Sequence, residues 1–380
     1  MIINTLYDVS IIIGGADLLN DGNASQVNCT IEESIYDGIP MCHIMFLSSP
    51  DFLNNNPIVD GTAITIKISS EQLGIRQYMF FRVLKVSVAP NGNNMFYSIN
   101  GIIDFYEFFR DPIVYSMNSN SSEIFKRIAD VQGLNCVIHP TKDKQLWIPS
   151  ESNLYQWLNY VTQHAWASPQ SGFFWFLTKE KDLLLLDIDR LVYGAKNVSY
   201  FKYGDLQTSD ITNNISRYKN IAINISTGNE NIFNRGYDGD NEHFDLLSYS
   251  TKHVKANKVR AVSEIVNINK GLSAGLGKNI LPFDVGNHHP NFFLAEAQNR
   301  RVLSTYSTYI DLTCEFYTPI DLAQVYLVDA TPPNASTSVL KVMNIKYVVS
   351  KIITKITSSS VNMEVELCSQ GYNGKSNESY

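Results

Sequence analysis

Four groups of residues have types and spacings that could do chemistry. Gly271–Asn279, GLSAGLGKN, has the glycines and lysine of a phosphate-binding loop, in which backbone N–H groups and a lysine cradle phosphates. Its first glycine is one position out of place, and Asn279 stands where serine or threonine would meet magnesium. A flexible loop is the better reading. His288 and His289 with Glu296 offer metal-ligand side chains, but a zinc site needs its ligands to converge. Pro290 interrupts the run, and the spacing does not put all three on one helix face. Glu364 and Glu366 lie two apart on a predicted strand, so both carboxylates face one way, as glycosidase acid–base chemistry would require. A solvated strand face or a channel face explains them more simply. Trp147, Trp157, Trp166 and Trp175 could stack on sugars, yet core packing accounts for them better. The seven histidines form no nucleophile–base constellation. No catalytic, cofactor-binding or metal-ligating residue is assigned, and the chain reads as a non-enzyme.

With no chemistry to explain it, the composition turns the question to architecture. The chain has 380 residues, too many for one ordinary core, so two or more domains are expected. Hydrophobic residues make up 44% and charged residues only 18%, with 21 Tyr and 19 Phe. That balance excludes disorder and suits β-structure that buries surface against partners. The net charge is −7, and no Lys/Arg-rich block is present to grip DNA. The five cysteines, Cys29, Cys42, Cys136, Cys314 and Cys368, are scattered and contain no CxxC pair. They read as buried reduced thiols, consistent with assembly in a reducing cytoplasm. The N-terminal segment lacks the basic region of a signal peptide, and no apolar run has the length of a membrane span.

Periodicity gives the elements. Tyr7, Val9, Ile11 and Ile13 share one strand face, as do Val27, Cys29 and Ile31. Ile64, Ile66 and Ile68 face one way, Thr65 and Lys67 the other. A long strand, apolar on both sides, covers Tyr78–Val88. Asn91-Gly92 turns the chain, and Met95–Ile103 returns. Two helices follow: Ser121–Val131, opened by Asn120 and Glu123 and stopped by Gly133, and Asn153–Ala165. Phe173–Leu177 and Leu183–Asp187 form a hairpin around Lys179–Asp182. Pro290 could open a helix through Arg301. Clear strands resume with Ile310–Phe316, Ile345–Thr357 and Val361–Leu367.

The first and last regions repeat one another. Pro57-Ile58-Val59-Asp60-Gly61 and its strand correspond to Pro319-Ile320-Asp321-Leu322 and Val325–Val328. Tyr78 is matched with Tyr347, and Met95–Ile103 with Val361–Gln370. One difference stands out: the second copy has Leu322-Ala323-Gln324 where a glycine is expected before the central strand.

The order of segments resembles the baseplate hub protein of contractile-tailed, T-even-like phages, a family shared with the N-terminal hub part of type VI secretion spike proteins. The stretches that carry the resemblance are VNCTIEESIYDGIPMCHIMF, VDGTAITIKI, YSINGIIDFYEFFRDPIVYSMNSNSSEIFKRIADVQGL, QLWIPSESNLYQWLNYVTQHA with GFFWFLTKEKDLLLLDID, and HHPNFFLAEAQNRR with YIDLTCEFYTPIDLAQVYLVD. The resemblance implies a β-rich α+β chain with two tube-type antiparallel β-barrel or sandwich domains. These are 1–106 and a discontinuous 201–230 plus 305–371, with an α+β domain at 107–200, a peripheral domain at 231–304 and a loose tail at 372–380. It implies a homotrimer whose six β-domains form a ring joining the tail tube above to the central spike below, beside other baseplate proteins. DNA would pass through the channel without specific binding, and the protein would reside in the virion tail baseplate after assembly in the host cytoplasm. Ile64, Ile66, Tyr78, Phe80, Val325 and Tyr347 are expected at subunit contacts. Glu364, Glu366, Thr65 and Lys67 are expected on a channel face. The alternative reading is a receptor- or carbohydrate-binding tail module.

Overall fold

The computed structural model describes residues 7–71, 74–105, 116–149, 153–195, 198–204, 215–225, 241–245, 250–254, 265–266, 279–284, 288–306, 308–316, 320–329, 345–358, 360–370 and 372–373. The fold is β-rich α+β and contains a closed β-barrel.

The alternating N-terminal segments form β1 (Asp8–Ile13), β2 (Ala16–Asp17), β3 (Ala24–Ser34), β4 (Met41–Ser48), β5 (Ala63–Ser70), β6 (Ile75–Asn91) and β7 (Asn94–Ile103). They pair antiparallel in the order β2-β1-β5-β6-β7-β4-β3. Ile64, Ile66 and Ile68 point into the core while Thr65 and Lys67 look out, because strand side chains alternate between faces. A one-turn helix, α1 (Phe52–Asn55), plugs one end of this sheet, its Phe52 packed on Phe46 and Tyr97. In the single chain β6 is not covered on both sides, contrary to the reading of its two apolar faces. Tyr78, Phe80 and Leu84 are exposed.

The middle of the chain forms β8 (Met117–Ser119), α2 (Ser121–Gln132), β9 (Cys136–Ile138), β10 (Gln145–Trp147), α3 (Leu154–Gln163), β11 (Phe173–Leu177), β12 (Leu183–Asp187) and α4 (Ile188–Gly194). Helix α2 starts where Glu123 accepts from the Asn120 N–H at 3.1 Å and ends at Gly133, whose φ of 66° needs no Cβ. Buried Asp143 also accepts from the Ser121 N–H and hydroxyl, at 2.9 and 2.6 Å. Strand β11 is buried on both sides. Phe173, Trp175 and Leu177 join the core of the first sheet, while Phe174 and Phe176 join a second core.

That second core belongs to β13 (Ser199–Tyr203), β14 (Ile215–Tyr218), β15 (Asn220–Ile225), β20 (Thr308–Glu315), β21 (Val325–Asp329), β22 (Lys346–Thr357) and β23 (Val361–Ser369). Between them lie β16 (Asn241–Asp245), β17 (Ser250–Val254), β18 (Ile265–Val266), β19 (Asn279–Asp284) and helix α5 (Phe292–Thr305). β16 pairs β17 and β19, and β18 pairs β24 (Tyr372–Asn373). β14 and β15 are halves of one strand bent at Lys219. The first half pairs with β13 and the second with β20, so β13-β21-β22-β23-β20-β15/β14 closes on itself. Helix α5 docks through buried Asn299. Its side chain donates to the carbonyls of Thr162, Gln163 and Ala165 at 2.9–3.0 Å and accepts from the Phe173 N–H at 3.1 Å.

The two β-regions share one frame. β5-β6-β7-β4-β3 and β21-β22-β23-β20-β15 run in the same order, and every neighbouring pair is antiparallel. β6 has a bulge between Val83 and Lys85, and β22 has one between Val349 and Lys351. The Gly61 N–H donates to the Val83 carbonyl and the Val83 N–H to that of Thr62, at 2.8 and 2.9 Å. Ala323, Val349 and Gln324 repeat both bonds at 2.9 Å. Gly61 has φ 80° and Ala323 φ 62°, so the alanine adopts the left-handed turn without the expected glycine. By this register Tyr347 matches Phe81, not Tyr78. Tyr347 and Phe81 are both buried, whereas Tyr78 is exposed. The frames differ at one strand: β1 runs antiparallel to β5, but β13 runs parallel to β21.

Candidate functional site

The frame brings eight strands into one continuous antiparallel wall, β6-β7-β4-β3-β22-β23-β20-β15. One side of the wall packs into the two cores. Period two then fixes what the open side carries. On β23 these are Asn362, Glu364 and Glu366, and on β22 Lys351, Ile353 and Lys355. On β20 they are Asp311, Thr313 and Glu315, and on β3 Asn28, Thr30 and Glu32. A shallow hollow of about 350 Å³ lies on this side, lined in part by Asn220, Asp311, Lys351, Glu364 and Glu366.

The charges there are matched locally. Lys355 Nζ meets Glu364 Oε1 at 2.6 Å, Lys351 pairs with Glu32, and Lys219 pairs with Glu315. The Ser350 hydroxyl donates to Glu366 Oε1 at 2.6 Å. Burial pushes the Glu366 carboxyl above the usual range, the Ser350 hydroxyl opposes this, and the neighbouring Asp311 charge adds to it. Glu364 and Glu366 share a face as expected. One is held by an ammonium and the other by a hydroxyl, so the pair is not disposed as a free acid and a free base.

The other predicted residues fall elsewhere. Thr65 and Lys67 face outward opposite Phe80 and Tyr78 on β6, and five strands separate β5 from β23 in the sheet order. The structure does not bring the four proposed channel residues together. Ile64, Ile66 and Tyr347, expected at subunit contacts, are enclosed in the cores of their own sheets. Val325 is partly buried, while Tyr78 and Phe80 are exposed.

The remaining constellations also resolve into structure. Trp147, Trp157 and Trp175 are buried. The Trp147 indole N–H donates to the Ser119 carbonyl and that of Trp175 to Asn159 Oδ1, at 2.9 and 2.8 Å. Glu296 faces His164, Nε2 to Oε2 3.7 Å, while Phe292 stacks on both His164 and His288 at 3.9 Å. Among the described residues no three His, Cys, Asp or Glu side chains are grouped to hold a metal. Residues 271–278 of the glycine-rich segment lie outside the described residues. Four cysteines are buried, with the Cys29 and Cys368 thiols pushed up to about 12 by burial, but Cys136 is exposed rather than buried. No described helix is long and apolar enough to cross a membrane.

No family model matches the chain, and no curated protein matches it. Solved structures do. The 43 kDa tail protein of prophage MuSo2 from Shewanella oneidensis aligns with a TM-score of 0.57 at 12% identity, over 96% of this chain and 98% of that one. This chain has the fold of a phage tail protein. A tail protein from Neisseria meningitidis MC58 aligns with a TM-score of 0.52 at 11% identity, over 96% of each chain. An Escherichia coli component of the type VI secretion system aligns at 0.47 and 9% identity, over 94% and 76%.

Two features of the wall were not visible in the sequence. The β22–β3 pairing joins residues more than three hundred positions apart. The bend at Lys219 has no proline or glycine to mark it.

Proposed function

We propose that the chain is a structural component of a phage tail, a baseplate hub subunit that forms a trimeric ring of pseudo-sixfold symmetry. The ring joins the tail tube above to the central spike below and surrounds the channel through which DNA passes without specific binding. Its outer side meets other baseplate proteins. On this reading the protein is assembled in the host cytoplasm, resides in the virion, and is not an enzyme. The chain divides into two tube-type β-domains, 1–106 and 201–230 with 305–371, around the α+β domain 107–200 and the peripheral domain 231–304.

The observation that carries this reading is the eight-strand wall, made of two four-strand halves on one frame. Two matched units per chain are what a threefold assembly needs to present sixfold pseudo-symmetry. The fold likeness to phage tail proteins supports the same setting. We assign the channel to the open side of the wall, with Glu364 and Glu366 on it and Thr65 and Lys67 outside it. Tyr78 and Phe80 remain available to a neighbouring subunit. Burial of three of the four tryptophans takes away the aromatic platform that carbohydrate binding would use.

Light scattering on the chain with and without its spike and tube partners tests the proposal. The expected mass of the hub component is three times the chain mass of 42.9 kDa. A chain that stays monomeric with both partners present overturns it.

A further inference from the structure

Helix α5 meets the α+β domain through two kinds of contact, and they divide along its length. From Gln298 onward it is held by amides. Asn299 donates to the carbonyls of Thr162, Gln163 and Ala165, and Gln298 donates to those of Ser168 and Ser171 at 3.2 and 3.1 Å. Amide side chains carry no charge, so these bonds do not depend on pH. The first turns of α5 instead meet His164, a buried residue at the C-terminal end of α3. Phe292 lies flat on the His164 ring, with 12° between the planes, and Glu296 faces its Nε2.

Hydrogen bonding fixes where the His164 protons lie. Nδ1–H donates to the Tyr160 carbonyl at 2.8 Å. A carbonyl only accepts, so Nδ1 is the protonated nitrogen of the neutral ring. Nε2 is then left with a lone pair, and it faces Glu296 Oε2 at 3.7 Å. An ionised carboxylate also only accepts. These two side chains, 3% and 6% exposed, attract one another only when a proton sits between them. A proton on Nε2 turns the contact into a buried imidazolium–carboxylate pair. The negative end of the α3 dipole and the face of Phe292 both favour that cation.

The other titratable groups around His164 are committed elsewhere. Tyr160 of α3 packs against its ring at 4.6 Å. Asp143 accepts from the Ser121 N–H and hydroxyl and from the Trp166 N–H at 3.0 Å. His288 stacks on the other face of Phe292. His289 accepts from the Asn291 N–H at Nδ1, 3.1 Å away, so its proton is on Nε2. Burial pushes His289 below the usual histidine range, against the pull of Asp143, and His164 and His288 add to the effect. His289 therefore stays neutral at physiological pH.

We propose that His164 and Glu296 form a proton-operated latch on the first turns of α5. The proton on Nε2 closes it. Losing that proton leaves two acceptors facing each other and frees the start of the helix, while Gln298 and Asn299 keep the rest in place. The wall strand β20, which follows α5 in the chain, is insulated from the change by those amide contacts. The latch lies within one chain, so it holds whether or not the ring proposed above does.

Hydrogen–deuterium exchange on the full chain tests the latch. After correction for the intrinsic exchange rate, the amides of residues 295–298 are expected to be about tenfold better protected at about pH 5.5 than at about pH 8, the effect of one charge-assisted bond. Residues 302–305 should change less than about twofold over the same range. In Glu296→Gln the new amide can donate to the Nε2 lone pair, so protection of 295–298 should no longer depend on pH. Equal protection of the native chain at both pH values, or an undiminished pH dependence in Glu296→Gln, overturns the latch. Nitrogen NMR of the ¹⁵N-histidine-labelled native chain needs no folded variant. The His164 signals, assigned by their loss in His164→Gln or by selective labelling, should show a proton on Nδ1 alone at about pH 8 and on both nitrogens at about pH 5.5. A ring protonated on Nε2 alone, or one that never gains the second proton, overturns it.

Discussion

The two β-regions are built on one hydrogen-bonded frame, and among the described residues each has one long edge of its wall covered by the other region and one that is not. β22 and β3 cover each other, whereas β6 beyond Lys85 pairs only with β7, and β15 only with β20, among the described residues. The side chains, by contrast, diverge. The first region presents His43, Ser98 and Asn100 where the second presents Asp311, Glu364 and Glu366, and His43 Nε2 meets the Ser98 hydroxyl at 2.9 Å. Backbone pairing fixes the architecture, and the outward residues of each strand are then free to differ. A duplicated fold can thus keep its frame while its two faces acquire different chemistry.

The sharpest way to break the comparison is at the edge. Ile31→Ala removes a wholly buried side chain at the covered seam and should cost about 2–5 kcal/mol. Its counterpart Ile223→Ala, on the open edge, should cost less than about 1 kcal/mol in the lone chain. Denaturant unfolding of the two variants checks the difference, and equal costs would contradict the shared register. A smaller effect is expected at the matched turns. Gly61→Ala puts a methyl into open space but at a left-handed φ, and should cost about 1–2 kcal/mol. Ala323→Gly relieves that conformation but gives up a buried methyl of about 0.8 kcal/mol. The result should be close to neutral by calorimetry. The smallest effect is the pH dependence of the second face. Because the folded form holds the Glu366 proton more tightly than the unfolded chain, that contribution to stability is present at acid pH. It is lost as pH rises through the folded value. Glu366→Gln should therefore raise the melting temperature at pH 7 and leave it almost unchanged near pH 4. Asn100→Ala, at the matching position, should show no such pH dependence.

Much of this frame was legible in the sequence because it depends on local rules. Alternation in Ile64–Ile68, Ile310–Phe316 and Val361–Leu367 marked strands with one buried face, and Asn120, Glu123 and Gly133 marked both ends of a helix. The repeat was readable from Pro57 and Pro319 onward. Its tyrosine anchor was three residues off, because Tyr78 and Tyr347 sit on opposite faces of matching strands and only the bulges set the register. Residue type also misled at Ile64 and Ile66. Apolar alternation says that one face is covered, but not whether the cover is the same sheet or another subunit. The carboxylates Glu364 and Glu366 were placed on one face correctly. Their partners Lys355 and Ser350 come from the neighbouring strand, and no spacing rule on one strand could supply them. Asp143, buried under the start of α2, lies twenty-two positions from the serine it holds, beyond the reach of capping patterns.

Strand β11 has a further consequence. Its five residues face two cores alternately, Phe173, Trp175 and Leu177 toward one and Phe174 and Phe176 toward the other. Neither core can open without exposing aromatic surface that belongs to the other. The two β-regions are therefore expected to unfold together, which calorimetry would show as a single transition for both. A chain of this length would ordinarily melt domain by domain; a shared strand of five large side chains ties the unfolding of one core to that of the other.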